Sequence, residues 1–230
     1  MSDLPSHRPD RAARLTLPIF PLSTVVLFPG VDCPLHVFEP RYRQMTQAAL
    51  GGDGLIGMVT VRPEHVGDMA GAPPVFPIGC LGRIVHSEEL ADGRINIVLH
   101  GTERFRIADE PAGPEDRLYR EAVVDRLGEE QTEASEIGRL RERISGAFDR
   151  LVTAVAPERR DEIGPHLVAD VDDALFVAVL VQVLNLPPVE RQSLLEANGV
   201  GARLVALESI LRFQLAGVGA SDANGRSRVH

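Results

Sequence analysis

Residues 17–45 read LPIFPLSTVVLFPGVDCPLHVFEPRYRQM, and this stretch decides the fold. Its apolar runs are short, and they are separated by Pro21 and by the turn pair Pro29-Gly30. Short apolar runs bounded by proline and glycine are typical of strands. Pro40 then opens a segment with helical spacing of its apolar residues, which predicts a helix over 41–50. The predicted strands of this stretch cover residues 17–20, 25–28 and 34–38.

Strand signals continue from this stretch to about Leu127. The step Asp92-Gly93 joins two long β-type runs and predicts a hairpin. Gly101 lies inside the second of these runs, where a glycine predicts a bend or a bulge. Residues 62–75 are rich in proline and glycine and are predicted to form a loop. The further predicted strands cover residues 55–61, 78–87, 94–107 and 118–127.

The apolar period changes from 2 to 3.6 near Gly128, which marks a second, helical domain. The first helix of this domain ends before Pro157, and Asp172 and Asp173 are natural N-caps of the next. Two more helices are predicted over residues 189–197 and 202–215. The chain is therefore predicted to consist of a flexible start at 1–13, a β-rich domain at 14–127, a helical domain at 128–217 and a disordered tail at 218–230.

One feature of the composition excludes several enzyme classes. The chain has 230 residues, and all 24 of its basic residues are arginine, without a single lysine. A P-loop, a pyridoxal-phosphate enzyme, a Ser-Lys hydrolase and a protein kinase each require a lysine. None of these four sites can be built from this chain.

The charge distribution disfavours polyanionic partners. The formal net charge is −9, with 15 acidic residues against 11 arginines over 14–127 and 15 against nine over 128–217. Nucleic acids and anionic membranes bind clustered positive charge, so neither is an expected partner. The longest apolar run has eight residues, whereas a membrane span needs about 20. The N-terminus lacks the apolar region of a signal peptide, and a cytoplasmic location is expected.

No residue pattern predicts a catalytic, cofactor or metal site. Cys33 and Cys80 lie far apart, and an apolar setting favours an inert thiol at Cys33. His86 and His100 could face each other across the predicted hairpin and bind a metal with Cys80. Two solvent-facing strand residues are the favoured interpretation of these histidines. No catalytic residue, cofactor or metal ion is therefore predicted.

Several motifs carry a resemblance to a known family. They are VLFPG at 26–30, PLHVFEPRY at 34–42 and GCLGRI at 79–84, supported by GTERF at 101–105 and LPP at 186–188. Together they resemble the N-terminal, substrate-recognition domain of the ATP-dependent Lon proteases. The same domain occurs in cereblon and in small stand-alone bacterial proteins. The resemblance spans about residues 15–217.

The resemblance implies an α+β fold: a PUA-like twisted β-barrel or sheet domain with one helix, followed by a small α-helical bundle. It also implies a non-enzymatic module that binds unfolded polypeptide or a protein partner. Such a module would act as an adaptor, a chaperone-like holder or a regulator in protein quality control, and a homodimer is compatible with this role. Two alternatives stay open: an RNA-binding PUA-like protein, and an enzyme whose site is assembled only in three dimensions.

The expected binding surface lies on the β-rich domain, where the segment 22–30 meets the loop 62–76. An extended peptide could also pair there with an exposed strand edge. The alternative is that the same apolar residues are core. Glu39 is expected to cap the following helix or to pair with Arg41 or Arg43. The predicted polypeptide-binding residues are Phe20, Val25, Phe28, Val75 and Phe76.

Overall fold

The computed structural model describes residues 14–226, which divide into two compact units after Gly128. We call residues 14–128 the β unit and residues 129–226 the helical unit. The division falls where the apolar period of the sequence changes. The predicted flexible start at 1–13 lies outside the described residues.

The β unit is built on a six-stranded mixed sheet that closes on itself. The strand order is β2-β5-β4-β3-β1-β6, and β5 also pairs with β6. Five strands therefore form a closed barrel, while β2 lies outside the ring and pairs with β5. The α+β fold class is confirmed. The elements are β1 (Leu15–Leu22), β2 (Asp32–Val37), α1 (Pro40–Leu50), β3 (Leu55–Thr60), β4 (Ile78–Glu89), β5 (Ile95–Asp109) and β6 (Arg120–Leu127).

Strand β1 tolerates two prolines because of the way its neighbours are staggered. Pro18 pairs with Glu121 of β6 in the part of β1 that precedes the β3 ladder. Pro21 pairs with Val59 of β3, beyond the end of the β6 ladder. At each proline, β1 therefore has a neighbouring strand on one side only. A proline, which has no N–H, is tolerated at such an edge position because no hydrogen bond is needed on the open side.

The predicted hairpin and the predicted bulge are both present. Strands β4 and β5 are joined at Asp92-Gly93, and Gly93 has φ +79°. Further along β5, Gly101 is opposite Gly82 while Glu103 is opposite Leu81, so one extra residue of β5 lies between these pairs. A bulge of this kind bends the strand and increases its twist.

The predicted strand at 25–28 is wrong, because this segment is an extended loop. Leu27 and Phe28 are buried, and the backbone that follows them bonds β5 at the bulge. There the Gly30 N–H donates to the Gly101 carbonyl at 2.8 Å, and the Gly101 N–H donates to the Val31 carbonyl at 2.9 Å. The apolar residues at 25–28 are therefore explained by side-chain burial and not by pairing in a β-sheet.

The helical unit packs the long helices α2 and α6 against each other, with shorter helices around them. The Asp172 carboxylate accepts a hydrogen bond from the Leu175 N–H at 2.8 Å, which is the predicted N-cap. Helix α6 continues past its predicted end at 215, and its backbone is helical to residue 226 because no proline interrupts it. The rest of the predicted tail, 227–230, lies outside the described residues. The helices are α2 (Ala134–Val155), α3 (Arg160–Ile163), α4 (Asp173–Val183), α5 (Pro188–Glu196) and α6 (Val200–Arg226).

A buried carboxylate joins α6 to α2. Glu208 is 7% exposed, and both of its oxygens accept hydrogen bonds from Arg143, each at 3.0 Å. Arg212 donates a third bond to it at 2.6 Å. The hydrogen bonds from Arg143 hold the pKa of Glu208 below its ordinary value, so Glu208 is charged at neutral pH. Among the described residues, no helix is both long and apolar enough to cross a membrane.

The bulge gives the first testable prediction. A Cβ on residue 101 would lie 2.0 Å from the Phe28 carbonyl oxygen, which is a backbone atom and cannot rotate away. We expect Gly101→Ala to lower the free energy of unfolding by about 1–3 kcal/mol, the usual cost of overpacking. Urea unfolding followed by circular dichroism measures this. Gly67→Ala is the control, because nothing lies within 4 Å of its added Cβ, and equal stability of the two variants would contradict the prediction.

Candidate functional site

The junction between β2 and α1 is organised by Glu39. Its backbone is extended, and its carbonyl accepts hydrogen bonds from the N–H groups of Tyr42 and Arg43 at 3.0 and 2.9 Å. Its side chain accepts a hydrogen bond from the Arg41 Nε at 3.0 Å. The predicted pairing of Glu39 with Arg41 is thereby confirmed, and Pro40 fits the first turn because that position needs no N–H.

Arg41 connects this junction to the loop 62–76. Its guanidinium donates to the Met69 carbonyl at 2.5 Å and to the Gly71 carbonyl at 3.1 Å. It also lies 4.5 Å from the centre of the Tyr42 ring, a cation–π contact. One arginine therefore holds the middle of a loop whose composition suggests flexibility.

A second arginine holds the far side of the same loop. Arg120 donates to the Pro73 carbonyl at 2.8 Å and forms two hydrogen bonds with the Glu110 carboxylate, each at 2.9 Å. Arginine suits this role because its planar fork bonds several oxygens at once. The loop is thus clamped by side chains from β6 and from α1.

The end of the loop lies beside the end of β1. The Val61 N–H donates to the Leu22 carbonyl at 2.9 Å, and Val61 forms an isolated β-bridge with Val75. Phe76 follows, and the Arg62 guanidinium lies 5.3 Å from its ring centre. The structure therefore brings the start of the segment 22–30 and the end of the loop 62–76 to one end of the β1–β3 pair.

Two of the five predicted binding residues are core residues. Phe20 is 4% exposed and its ring centre lies 4.4 Å from that of Tyr42, while Phe28 is 5% exposed. Their placement on a binding surface is corrected for this reason: in this conformation neither ring is accessible to a partner. Apolar character in the sequence does not distinguish a core phenylalanine from a surface one.

The other three predicted residues keep part of their side chains at the surface. Val25, Val75 and Phe76 are half-buried. Val75 also packs against the barrel core. We call these three residues the loop-end surface. Each of the three keeps part of an apolar face accessible, and Val75 also contacts the core.

Sequence reasoning missed the exposed Phe38. It follows the buried Val37 at the end of β2 and is 59% exposed. The signal was the alternation of β2, which turns Val37 inward and its successor outward. Phe38 borders a strand that, among residues 14–226, pairs only on its β5 side.

The outer edge of β2 is a poor template for an added strand. The Val31 carbonyl faces β5, so alternation directs the backbone groups of Asp32, Pro34 and His36 toward the outer edge. Pro34 has no N–H, which leaves a gap at the centre of this edge. Proline at such a position protects edge strands from pairing with other chains.

The residues considered for metal binding or nucleophilic chemistry do not converge. His86 is opposite Val98 and His100 is opposite Arg83, so the two histidines are not paired across the hairpin. His100 instead contacts the Asp32 carboxylate at 2.7 Å. Burial raises the pKa of the Cys33 thiol, which disfavours the reactive thiolate. Within the described part of the chain, no group of three or more His, Cys, Asp or Glu residues could hold a metal ion.

Comparison with known proteins gives one consistent result. Residues 16–212 match the family model described as the ATP-dependent protease La (LON) substrate-binding domain. A Lon protease 2 of Syntrophobacter fumaroxidans is 30% identical over 86% of this chain and 24% of its own length. A Lon protease of Desulfosudis oleivorans is 26% identical over 87% of this chain and 24% of its own length. The chain thus spans about a quarter of the length of these relatives.

Solved structures agree on the fold. The N-terminal domain of a Mycobacterium avium complex Lon protease superimposes with a TM-score of 0.65 at 18% identity, covering 86% of this chain and 98% of that one. A Lon N-terminal domain protein from Xanthomonas campestris gives a TM-score of 0.58 at 24% identity, covering 85% and 98%. At these identities the likeness shows the fold alone.

The clamp on the loop gives the second prediction. Arg41→Gln removes the guanidinium that donates hydrogen bonds to two loop carbonyls. Local opening of the loop then needs less free energy, so we expect the amide hydrogens of residues 62–76 to exchange at least tenfold faster. Hydrogen exchange followed by mass spectrometry measures this. Arg94→Gln is the control, because Arg94 is exposed and pairs with the nearby Asp92. Unchanged exchange of the loop in Arg41→Gln would contradict the prediction.

Proposed function

Because this chain belongs to the ATP-dependent protease La (LON) substrate-binding domain family, we propose that it is a non-enzymatic module that recognises polypeptides. The match of residues 16–212 to the substrate-binding domain is the observation that supports this role. The absence of lysine is consistent with it, since neither a P-loop nor a Ser-Lys pair can form within this chain. In protein quality control the module would act as an adaptor or a chaperone-like holder.

The loop-end surface is the proposed contact for the bound chain. Val25, Val75 and Phe76 offer apolar faces of the kind that unfolded polypeptides seek. The Arg41 clamp keeps the loop ordered before binding, which lowers the entropic cost of association. Recognition would rest on apolar side chains at this surface, and strand addition at the outer edge of β2 is disfavoured because Pro34 interrupts that edge.

The third prediction tests binding at this surface. We expect the full chain to bind reduced, carboxymethylated α-lactalbumin, which is permanently unfolded, and to ignore the native protein. Phe76→Ser removes a half-buried ring, and we expect it to weaken binding about fivefold to thirtyfold, the equivalent of about 1–2 kcal/mol of apolar contact. Fluorescence anisotropy of the labelled unfolded protein measures the dissociation constant.

Leu118→Ser is the matched control, because Leu118 is 56% exposed in the β unit and lies outside the loop-end surface. Equal binding by Phe76→Ser and wild type would remove the loop-end surface from the proposal. Absence of binding by the wild-type chain, or hydrolysis of ATP or casein by a preparation free of full-length protease, would overturn the proposed function itself. Tight, salt-sensitive binding of RNA would favour the nucleic-acid alternative instead.

A further inference from the structure

The helical unit contains an open apolar groove of about 540 Å³. It is formed by the C-terminal ends of α2 and α4, by α3 and by the middle of α6, elements that are distant in sequence. Its volume lies in the range of ligand-binding clefts. The lining residues are Phe148, Leu151, Val152, Val155, Ile163, Val183, Leu184, Gln214, Gly217 and Val218.

The floor of the groove belongs to the core, but its rim does not. Phe148 and Val152 are 1% and 2% exposed, whereas Val155 at the end of α2 is 58% exposed. Gln214 is the one polar side chain among the lining residues. An open cleft with this lining favours apolar groups, because binding them removes its apolar surface from contact with solvent.

Helix α6 extends the apolar surface beyond the groove. Phe213 is 80% exposed, the largest exposure among the large apolar residues of the described chain. It lies four residues before Gly217, so the two share one side of α6. An occupant long enough to leave the groove along α6 would therefore meet an aromatic side chain.

The charges around the groove favour a basic occupant. The segment 128–217 carries 15 acidic residues against nine arginines. Near α3, Arg159 and Arg160 are each paired with a carboxylate, while Glu158 and Asp161 take part in no ion pair among the described residues. The helical unit as a whole is therefore negatively charged, and complementary charge selects partners.

We propose that this groove binds an apolar segment of a polypeptide flanked by basic residues. The proposal rests on the polypeptide recognition proposed above and adds a second site, in the helical unit, with its own selectivity. The groove is open rather than enclosed, so the backbone of the bound segment stays hydrated while its apolar side chains enter. The flanking basic residues meet the acidic surface of the helical unit.

The test uses two fluorescein-labelled peptides, RRLFVLRR and EELFVLEE, and the full-length chain. We expect the basic peptide to bind at least fivefold more tightly than the acidic one, and this difference to shrink in high salt because screening weakens it. Val155→Asn places an amide at the rim of the groove and is expected to weaken binding of the basic peptide at least fivefold.

Val205→Asn is the matched control, since Val205 is 50% exposed on α6 and does not line the groove. It should bind the basic peptide as wild type does. Should Val155→Asn melt at a lower temperature than Val205→Asn, Val218→Asn on the opposite wall provides the same comparison.

Equal binding of the basic peptide by wild type, Val155→Asn and Val218→Asn would overturn the groove as its site, as would equal affinity for the two peptides. Failure of the proposed function appears differently: wild type would then bind neither the peptides nor unfolded α-lactalbumin. Binding of unfolded α-lactalbumin that is lost in Phe76→Ser but insensitive to Val155→Asn would leave the proposed function standing and contradict only the inference on the groove.

Discussion

The bend of β5 at Gly101 is the constraint on which the β unit depends. Before the bend, β5 pairs with β2 and β4, and after it β5 pairs with β4 and β6. A straight strand could not serve both sets of neighbours and close the barrel. The same residue accommodates the Phe28 carbonyl, which comes too close for any side chain at position 101. Barrel closure and the course of the segment 23–31 therefore rest on one glycine.

The fixed position of the loop 62–76 depends on the same strands. β5 fixes β2, and β2 leads directly into Glu39 and the first turn of α1. Arg41 then bonds the loop carbonyls, and Arg120 of β6 bonds the loop from another strand of the barrel. A long loop rich in proline, glycine and alanine is thus held by charged side chains in addition to the core contact of Val75. This arrangement presents apolar faces at the surface without leaving their backbone mobile.

Local signals in the sequence predicted local features well. The Asp92-Gly93 turn, the bulge at Gly101, the start of α1 and the cap at Asp172 depend on a few adjacent residues, and all four are present. The strand expected at 25–28 failed because a distant contact with Gly101 decides the path of that segment. Sequence reasoning placed Phe20 and Phe28 on the surface because apolar character alone does not show which face is covered. It did not find the groove, whose walls come from helices far apart along the chain. The family motifs supplied the fold and the proposed role, which composition and periodicity alone did not reach.

The proposed recognition of unfolded polypeptide through the β unit can be tested on the whole chain. The most direct measurement is hydrogen exchange of the whole chain with and without saturating unfolded α-lactalbumin, since bound segments exchange more slowly wherever the partner covers them. We expect slower exchange in residues 22–30 and 62–76, with strands β4 and β5 unchanged because they are already protected by the sheet. Unchanged exchange in both segments at saturation would contradict the proposed recognition.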